Sequence, residues 1–243
     1  MLRFNRDNLT LYIMFAIFLT LNICLWTQTH KLRPVWGNVP PATSDRATLM
    51  MNMGDSQLAY RRNGMMLQNL GNEGGDSTPL KDYNFELLRG WFMLQDRLDP
   101  VSNFMPYLTA YYFGATQNPR DQLGPVIDYL EVQGQRSELD KWRWLAEAVF
   151  LARYKKSDMP RALDLANKLA ALPNVPLWAK AMPAFVLRAD GDKEGAYTIM
   201  MGILSSSSHS LSPYEIRLLR DNICNQTLTP AEAAKNELCI NVK

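Results

Sequence analysis

Histidine is almost absent from this chain: among 243 residues there are two, His30 and His209. A Ser-His-Asp arrangement would have to use one of them, and neither is well placed, since His30 follows a long apolar run and His209 sits in "SSSSHS". Cysteine is scarce as well, with three in all and neither CxxC nor HExxH spacing, so the usual zinc-ligand patterns are missing. "GNEGG" at 71–75 has no strand pattern before it and no Lys after it, which leaves a turn rather than a phosphate loop. Neither sign of charge dominates: 26 basic residues stand against 24 acidic ones, with no stripe of Lys and Arg interleaved with aromatics. That balance gives no nucleic-acid surface. The carboxylate pairs Asp96 with Asp99 and Glu138 with Asp140 fall at helix ends, where capping and the helix dipole account for them. The expectation is therefore a protein that is not an enzyme, with no catalytic, cofactor-binding or metal-ligating residues, no cofactor and no small-molecule substrate.

What is present begins with "LTLYIMFAIFLTLNICLW", residues 9–26, eighteen residues without a charge. At about 1.5 Å per residue these span roughly 27 Å, close to the hydrocarbon thickness of a bilayer. A secretory signal has a shorter apolar centre and small residues at its cleavage site; here Trp26, Thr27, Gln28, Thr29 and His30 follow. Tyr12 and Trp26 sit where amphipathic aromatics favour the interface. A buried core helix would show a polar face, and only Thr10, Thr20 and Asn22 interrupt the run. The reading is an uncleaved single-pass anchor over 9–29, behind a short tail 1–8. Basic residues do not orient it, because Arg3 and Arg6 precede the span while Lys31, Arg33 and Arg46 follow.

Pro34, Gly37, Pro40 and Pro41, with Ser44-Asp45, read as a linker over 30–54. From 55 to 243 apolar residues recur at helical spacing with almost no strand alternation, so an all-α domain is expected. The pattern predicts helices over 55–70, 84–98, 101–115, 120–133, 140–154, 159–172, 176–189, 192–206, 212–223 and 230–238. Asp99-Pro100, Pro119, Pro160, "PNVP" at 173–176 and Pro230 punctuate them.

Two of the predicted helical hairpins match one another. Trp144 pairs with Trp178, Leu151 with Phe185, Ala162 with Ala196, Ala166 with Met200 and Leu169 with Ile203, each at a separation of 34 residues. A helical hairpin has one apolar face that it cannot bury alone; stacking hairpins buries it, with a small Ala where two helices approach. "KWRWLAEAVFLARYKKSDMPRALDLANKLAALP" at 141–173 and "PLWAKAMPAFVLRADGDKEGAYTIMMGILSS" at 176–206 resemble the tetratricopeptide repeat family, whose period is 34. "LRGWFMLQDRLDP" at 88–100 looks like the second helix of an earlier unit, and the likeness covers about half the chain. It departs at Met182, which stands where Ala148 does in the preceding unit, and in a longer loop between helices. "SQLAYRRNGMMLQNLGNEGG", "TPLKDYNF" and "LDPVSNFMPYLTAYYFGA", taken with the anchor, resemble membrane-anchored repeat proteins of alphaproteobacteria and Legionella-like bacteria. That likeness implies an α-solenoid of antiparallel helix pairs and a bacterial inner-membrane location, and nothing about chemistry.

Cys24 lies in the span, so Cys224 and Cys239 are the only pair left in the soluble part. The choice is between two free thiols and a bridge closing a loop of about 15 residues, worth about 3 kcal/mol by the chain-entropy model and persistent only in an oxidising compartment. The bridge would pin a C-terminal cap over 212–243 and place the domain in the periplasm. Two stretches are candidate partner surfaces. "AYRRNGMMLQNLG" puts Arg61, Arg62, Met65, Met66 and Gln68 on one helix, and "YLTAYYFGATQNP" aligns Tyr107 with Tyr111. For the Mets and the tyrosines alike, burial in the core is the plainer reading and a protein-binding surface the other. Two functions stand: a tethered scaffold that binds another envelope protein through its repeat surface, or an accessory subunit of a larger secretion, respiratory or transport complex whose span packs through Thr20, Asn22 or Thr27. The anchor reading is checked by carbonate washing: the chain should keep Met1 and stay with the membranes, and a soluble form beginning near residue 30 would rule it out.

Overall fold

A computed structural model describes residues 9–30, 39–71, 78–116, 122–138, 140–206 and 211–240. The tail 1–8, with Arg3 and Arg6, and also Lys31, Arg33 and His209, lie outside the described residues. Every regular element among the described residues is helical. α1, Leu9–Thr29, buries none of its side chains, and it is the one described helix long and apolar enough to cross a membrane.

α2, Asp45–Met51, falls inside the stretch expected to be a linker, and residues 39–54 belong to the folded domain instead. Val39 is fully buried, the Trp91 indole N–H donates to the Pro40 carbonyl at 2.7 Å, and Arg97 pairs with Asp45 at 2.7 Å. Proline-rich composition was a poor guide here because the same residues carry a helix start: the Ser44 hydroxyl accepts from the Ala47 N–H. α3 is Ser56–Gln68, capped by Asp55, and α4 is Phe85–Leu98, capped by Asn84.

The helix expected over 101–115 is a composite: α5, Phe104–Tyr107, passes into a π-helical turn, Leu108–Tyr112, and a last 3-10 turn, Phe113–Ala115. α6, Gly124–Gly134, and α7, Trp142–Phe150, follow, the latter continuing as a second π turn, Leu151–Lys156. α8, Met159–Ala170, shows how directly sequence writes a helix. Asp158 caps it, Pro160 occupies the first turn where no N–H is needed, and Ala162, Leu165, Ala166 and Leu169 recur at three and four to make the buried face. The helix expected over 176–189 is broken into α9, Leu177–Lys180, and α10, Met182–Asp190. Pro183 has no N–H to give the carbonyl four residues back, so the ladder stops at Ala181. Gly191, at φ +96°, ends α10 in the left-handed conformation. α11, Lys193–Ser206, and α12, Pro213–Asp221, precede a third π turn, Asn222–Thr227, and the short α13, Pro230–Ala233, and α14, Glu237–Ile240, finish the described chain.

Packing runs in chain order: α6 lies on α7, α7 on α8, α8 on α10, and α10 on α11. Small residues set these approaches. Ala148, Ala162, Ala166 and Ala196 are fully buried, as is Met200, with Leu151 and Trp144 nearly so. Closest of all is Gly134 on Leu145, where a Cβ added to the glycine would fall 2.3 Å from the Leu145 nitrogen. Trp178 does not take the place matched by Trp144. It is 40% exposed and sits edge-on to Trp142, with ring centroids 5.3 Å apart. Phe185 is only half-buried. Met65 and Tyr107, for which burial was the plainer expectation, are both exposed.

The Gly134 contact gives a direct test of this packing. Gly134→Ala pushes a methyl into backbone atoms that cannot yield, so it should cost about 1 to 3 kcal/mol in a denaturant melt. Gly124→Ala has open space around it and should be neutral or slightly stabilising.

Candidate partner-binding cleft

One cleft lies where α7, α10 and the turn after α12 meet. α7 and its π turn supply Phe150, Arg153 and Tyr154, α10 supplies Phe185 and Arg188, and the π turn after α12 supplies Asn222. The volume is about 390 Å³ and the cleft is open to solvent. Tyr154, Arg188 and Asn222 follow one another at steps of 34 residues. That step equals the 34-residue spacing noted over 141–206, and it is the signal by which these residues could have been found. A π turn adds one residue to a helical turn and re-aims the side chains after it, and such turns concentrate at functional sites. Here Arg153, Tyr154 and Asn222 all come from π turns, which no local pattern in "FLARYKK" or "DNICNQT" announces.

The electrostatics of the cleft are one-sided. Arg153 lies over the Tyr154 ring at 4.4 Å and Arg188 over the Phe185 ring at 5.5 Å, while Arg188 also donates to the Asn222 side-chain oxygen at 3.2 Å. Neither guanidinium meets a carboxylate within 4 Å among the described residues. Burial, and then the like charge of Arg153, hold Arg188 below the usual guanidinium range. The cleft wall thus carries two guanidiniums with no carboxylate partner among the described residues. The acids are elsewhere: Asp128 and Glu131 of α6 and Asp164 of α8 are engaged by Arg161 and Lys168 at 2.6 to 3.1 Å.

A second cleft, about 360 Å³, is lined by Asn103, Tyr107, Tyr111, Asp140, Arg143 and Trp144. Tyr107 and Tyr111 are in ring contact at 4.9 Å, and the Tyr111 hydroxyl donates to Glu147 at 2.6 Å. Burial, followed by that carboxylate, pushes the Tyr111 phenol up to about 12, so it remains a donor at neutral pH. Arg143 is already paired with Asp140 at 3.5 Å, so this cleft lacks the unmatched charge of the first. Arg61 and Arg62 are exposed on α3 and line neither cleft. No group of three or more metal-ligating side chains occurs among the described residues.

Cys224 and Cys239 are joined by a disulfide, their Cα atoms 5.6 Å apart. Leu238 and Cys239 pack on the small core of Leu219, Ile223 and Met200, and Asn236 donates to the Tyr197 hydroxyl at 3.0 Å. The bridge thus clamps the π turn that carries Asn222 into the cleft wall. Compared with family models, with curated proteins and with solved structures, the chain has no match.

Reduction should therefore be felt in the cleft as well as in the tail. With the bridge opened, amide exchange should speed up in 222–240 while 159–170 of α8 keeps its protection; uniform protection would show that the bridge clamps nothing.

Proposed function

We propose that this chain is a membrane-anchored adaptor, not an enzyme, whose helical-repeat surface binds a segment of another protein of the cell envelope. Its helical array is read as a tetratricopeptide-like solenoid, supported by the 34-residue steps and by the chain-order packing of α6 to α11. α1 is the anchor, and a bacterial inner membrane with the domain in the periplasm is the setting. The disulfide favours that side, because such a bridge persists only where conditions are oxidising.

The observation that carries the binding reading is the pair Arg153 and Arg188, uncompensated and flanked by the partly exposed rings of Phe150, Tyr154 and Phe185. The complementary segment presents a carboxylate beside apolar side chains, since an ionised acceptor would satisfy both guanidiniums and the rings would cover its neighbours. A photo-crosslinking residue placed at Tyr154 in intact cells should give one discrete adduct, and Arg188→Glu should reduce it about tenfold or more. Reversing the captured segment's carboxylate to Lys should restore the adduct with Arg188→Glu. An adduct indifferent to Arg188, or equally strong from exposed Tyr214, would overturn the cleft as the binding surface.

One observation favours the second reading, an accessory subunit of a larger membrane complex. Thr20 and Thr27 spend their hydroxyls on the carbonyls of Ala16 and Cys24, whereas the Asn22 side chain stands exposed within α1 and makes no hydrogen bond among the described residues. A free amide in an apolar span is suited to bonding a neighbouring span. Exchanging α1 for an unrelated span separates the two: capture at Tyr154 survives for an adaptor and is lost for such a subunit.

A further inference from the structure

The turn between α2 and α3 displays methionines to solvent. Met53 is 89% exposed at φ +55°, a left-handed conformation uncommon for a side chain of this size, and Gly54 follows at φ +81°. Met50 and Met51 at the end of α2 are exposed as well. On α3, Leu58, Arg61, Arg62 and Met65 are exposed at steps of three and four, which makes one stripe. Arg62 donates to the Asn52 side-chain oxygen at 3.3 Å and so holds this stripe beside the α2 end. Exposed Arg46 lies one turn before Met50.

The charge of this tip is also one-sided. Arg46, Arg61 and Arg62 meet no carboxylate within 4 Å among the described residues. The one acid in the turn, Asp55, is committed to capping α3 through the N–H groups of Gln57 and Leu58. Flexible apolar side chains surrounded by guanidiniums match the boundary between acyl chains and anionic headgroups. Chain length brings that boundary within reach. From His30 at the end of the apolar helix to buried Val39 there are nine residue steps, at most roughly 30 Å of chain, and α2 starts six residues later.

We propose that the α2–α3 tip is a lipid-docking surface: Met50, Met51 and Met53 enter the headgroup region of the bilayer that holds α1, and Arg46, Arg61 and Arg62 engage lipid phosphates. The proposal rests on the anchor reading of α1 and is independent of the partner cleft. Docking at two points fixes how the domain stands on the membrane, which a single span followed by a short connection does not.

The test uses the full chain in lipid nanodiscs, with an environment-sensitive fluorophore on Met53→Cys in a Cys24→Ser background and spin-labelled phosphatidylcholine as quencher. The same fluorophore on native Cys24 reports the anchor, and on Tyr214→Cys, a strongly exposed site on α12, it reports solvent. In discs containing phosphatidylglycerol, emission from position 53 should shift to the blue and be quenched, while position 214 is unaffected. Arg61→Glu with Arg62→Glu, or omission of phosphatidylglycerol, should lower that quenching about fivefold or more. Quenching at 24 with a water-like signal at 53 would overturn the docking surface and leave the anchor standing. A blue shift at 53 without lipid quenching would overturn it in favour of a protein cover, a second copy of this chain included. Quenching at 53 that ignores both arginines and phosphatidylglycerol would overturn the phosphate contacts, and an unquenched label at 24 would remove the anchor and the docking surface together.

Discussion

A buried lysine joins the start of α7 to the segment between α4 and α5. Lys141, at the start of α7, is 1% exposed and donates its ammonium to the Ser102 carbonyl at 2.9 Å. Burial pushes its titration down, and the Asp96 carboxylate pulls the other way. Asp96 of α4 is itself held by Arg136 in a two-bond pair at 2.5 and 3.0 Å. Around the same 99–103 segment, the Tyr60 hydroxyl donates to Ser102 and the Trp144 indole to Asn103, both at 2.8 Å. Desolvating these charges costs several kcal/mol each, so the pairings confer little net stability. Their consequence is positional: α3, α4 and α7 can meet in only one arrangement that leaves no buried ion alone. The alignment of α7, and with it Phe150, Arg153 and Tyr154, follows from that junction.

Much of the all-helical plan could be read from residues because its signals are local. Asp158, Ser212 and Thr229 each accept a hydrogen bond from the first turn of a helix, and the latter two complete capping boxes with Glu215 and Glu232. Ala162 and Ala196, 34 residues apart, are both fully buried, as small residues in apolar helix faces are expected to be. The misjudged positions depend on distant partners. Residues 39–54 have a linker's composition, and what folds them is Trp91 reaching Pro40 and Arg97 reaching Asp45 across about fifty residues of chain. Met65 and Tyr107 are of types that cores favour, yet among the described residues no later segment covers them. Burial of such residues is decided by what returns to them in three dimensions, which periodicity alone does not encode.

Irregular helical turns border the cleft. A π turn is one residue of excess inside a helix, so a search at fixed helical period assigns the residues after it to the wrong face. In α7 the apolar face, Trp144, Leu145, Ala148 and Val149, runs regularly until Leu151, where the π turn begins. Tyr154, four residues beyond Phe150 and in ring contact with it at 5.0 Å, shares the cleft with it. Asn222 opens the π turn after α12 with its own N–H still bonded to the Leu218 carbonyl, and its side-chain oxygen accepts from Arg188. What links Tyr154, Arg188 and Asn222 along the chain is their spacing of 34 residues.

The proposed tether and the proposed cleft explain one another's scale. An open cleft of about 390 Å³ with two arginines and a few rings is small beside the surfaces that hold stable complexes together, and ordering a mobile partner segment offsets much of what its contacts contribute. Confinement at a membrane changes the requirement, because linked binding events see effective concentrations in the millimolar range. A weak, charge-selected contact is then sufficient, provided that the cleft is held at a fixed height and attitude above the bilayer. The Cys224–Cys239 bridge fixes the cleft wall from one end, and the α2–α3 tip lies close in sequence to the anchor at the other. Rigidity between those ends is supplied by the close approach of Gly134 to Leu145 and by the buried Lys141 junction. An adaptor of modest affinity depends more on such orientation than on additional contact area.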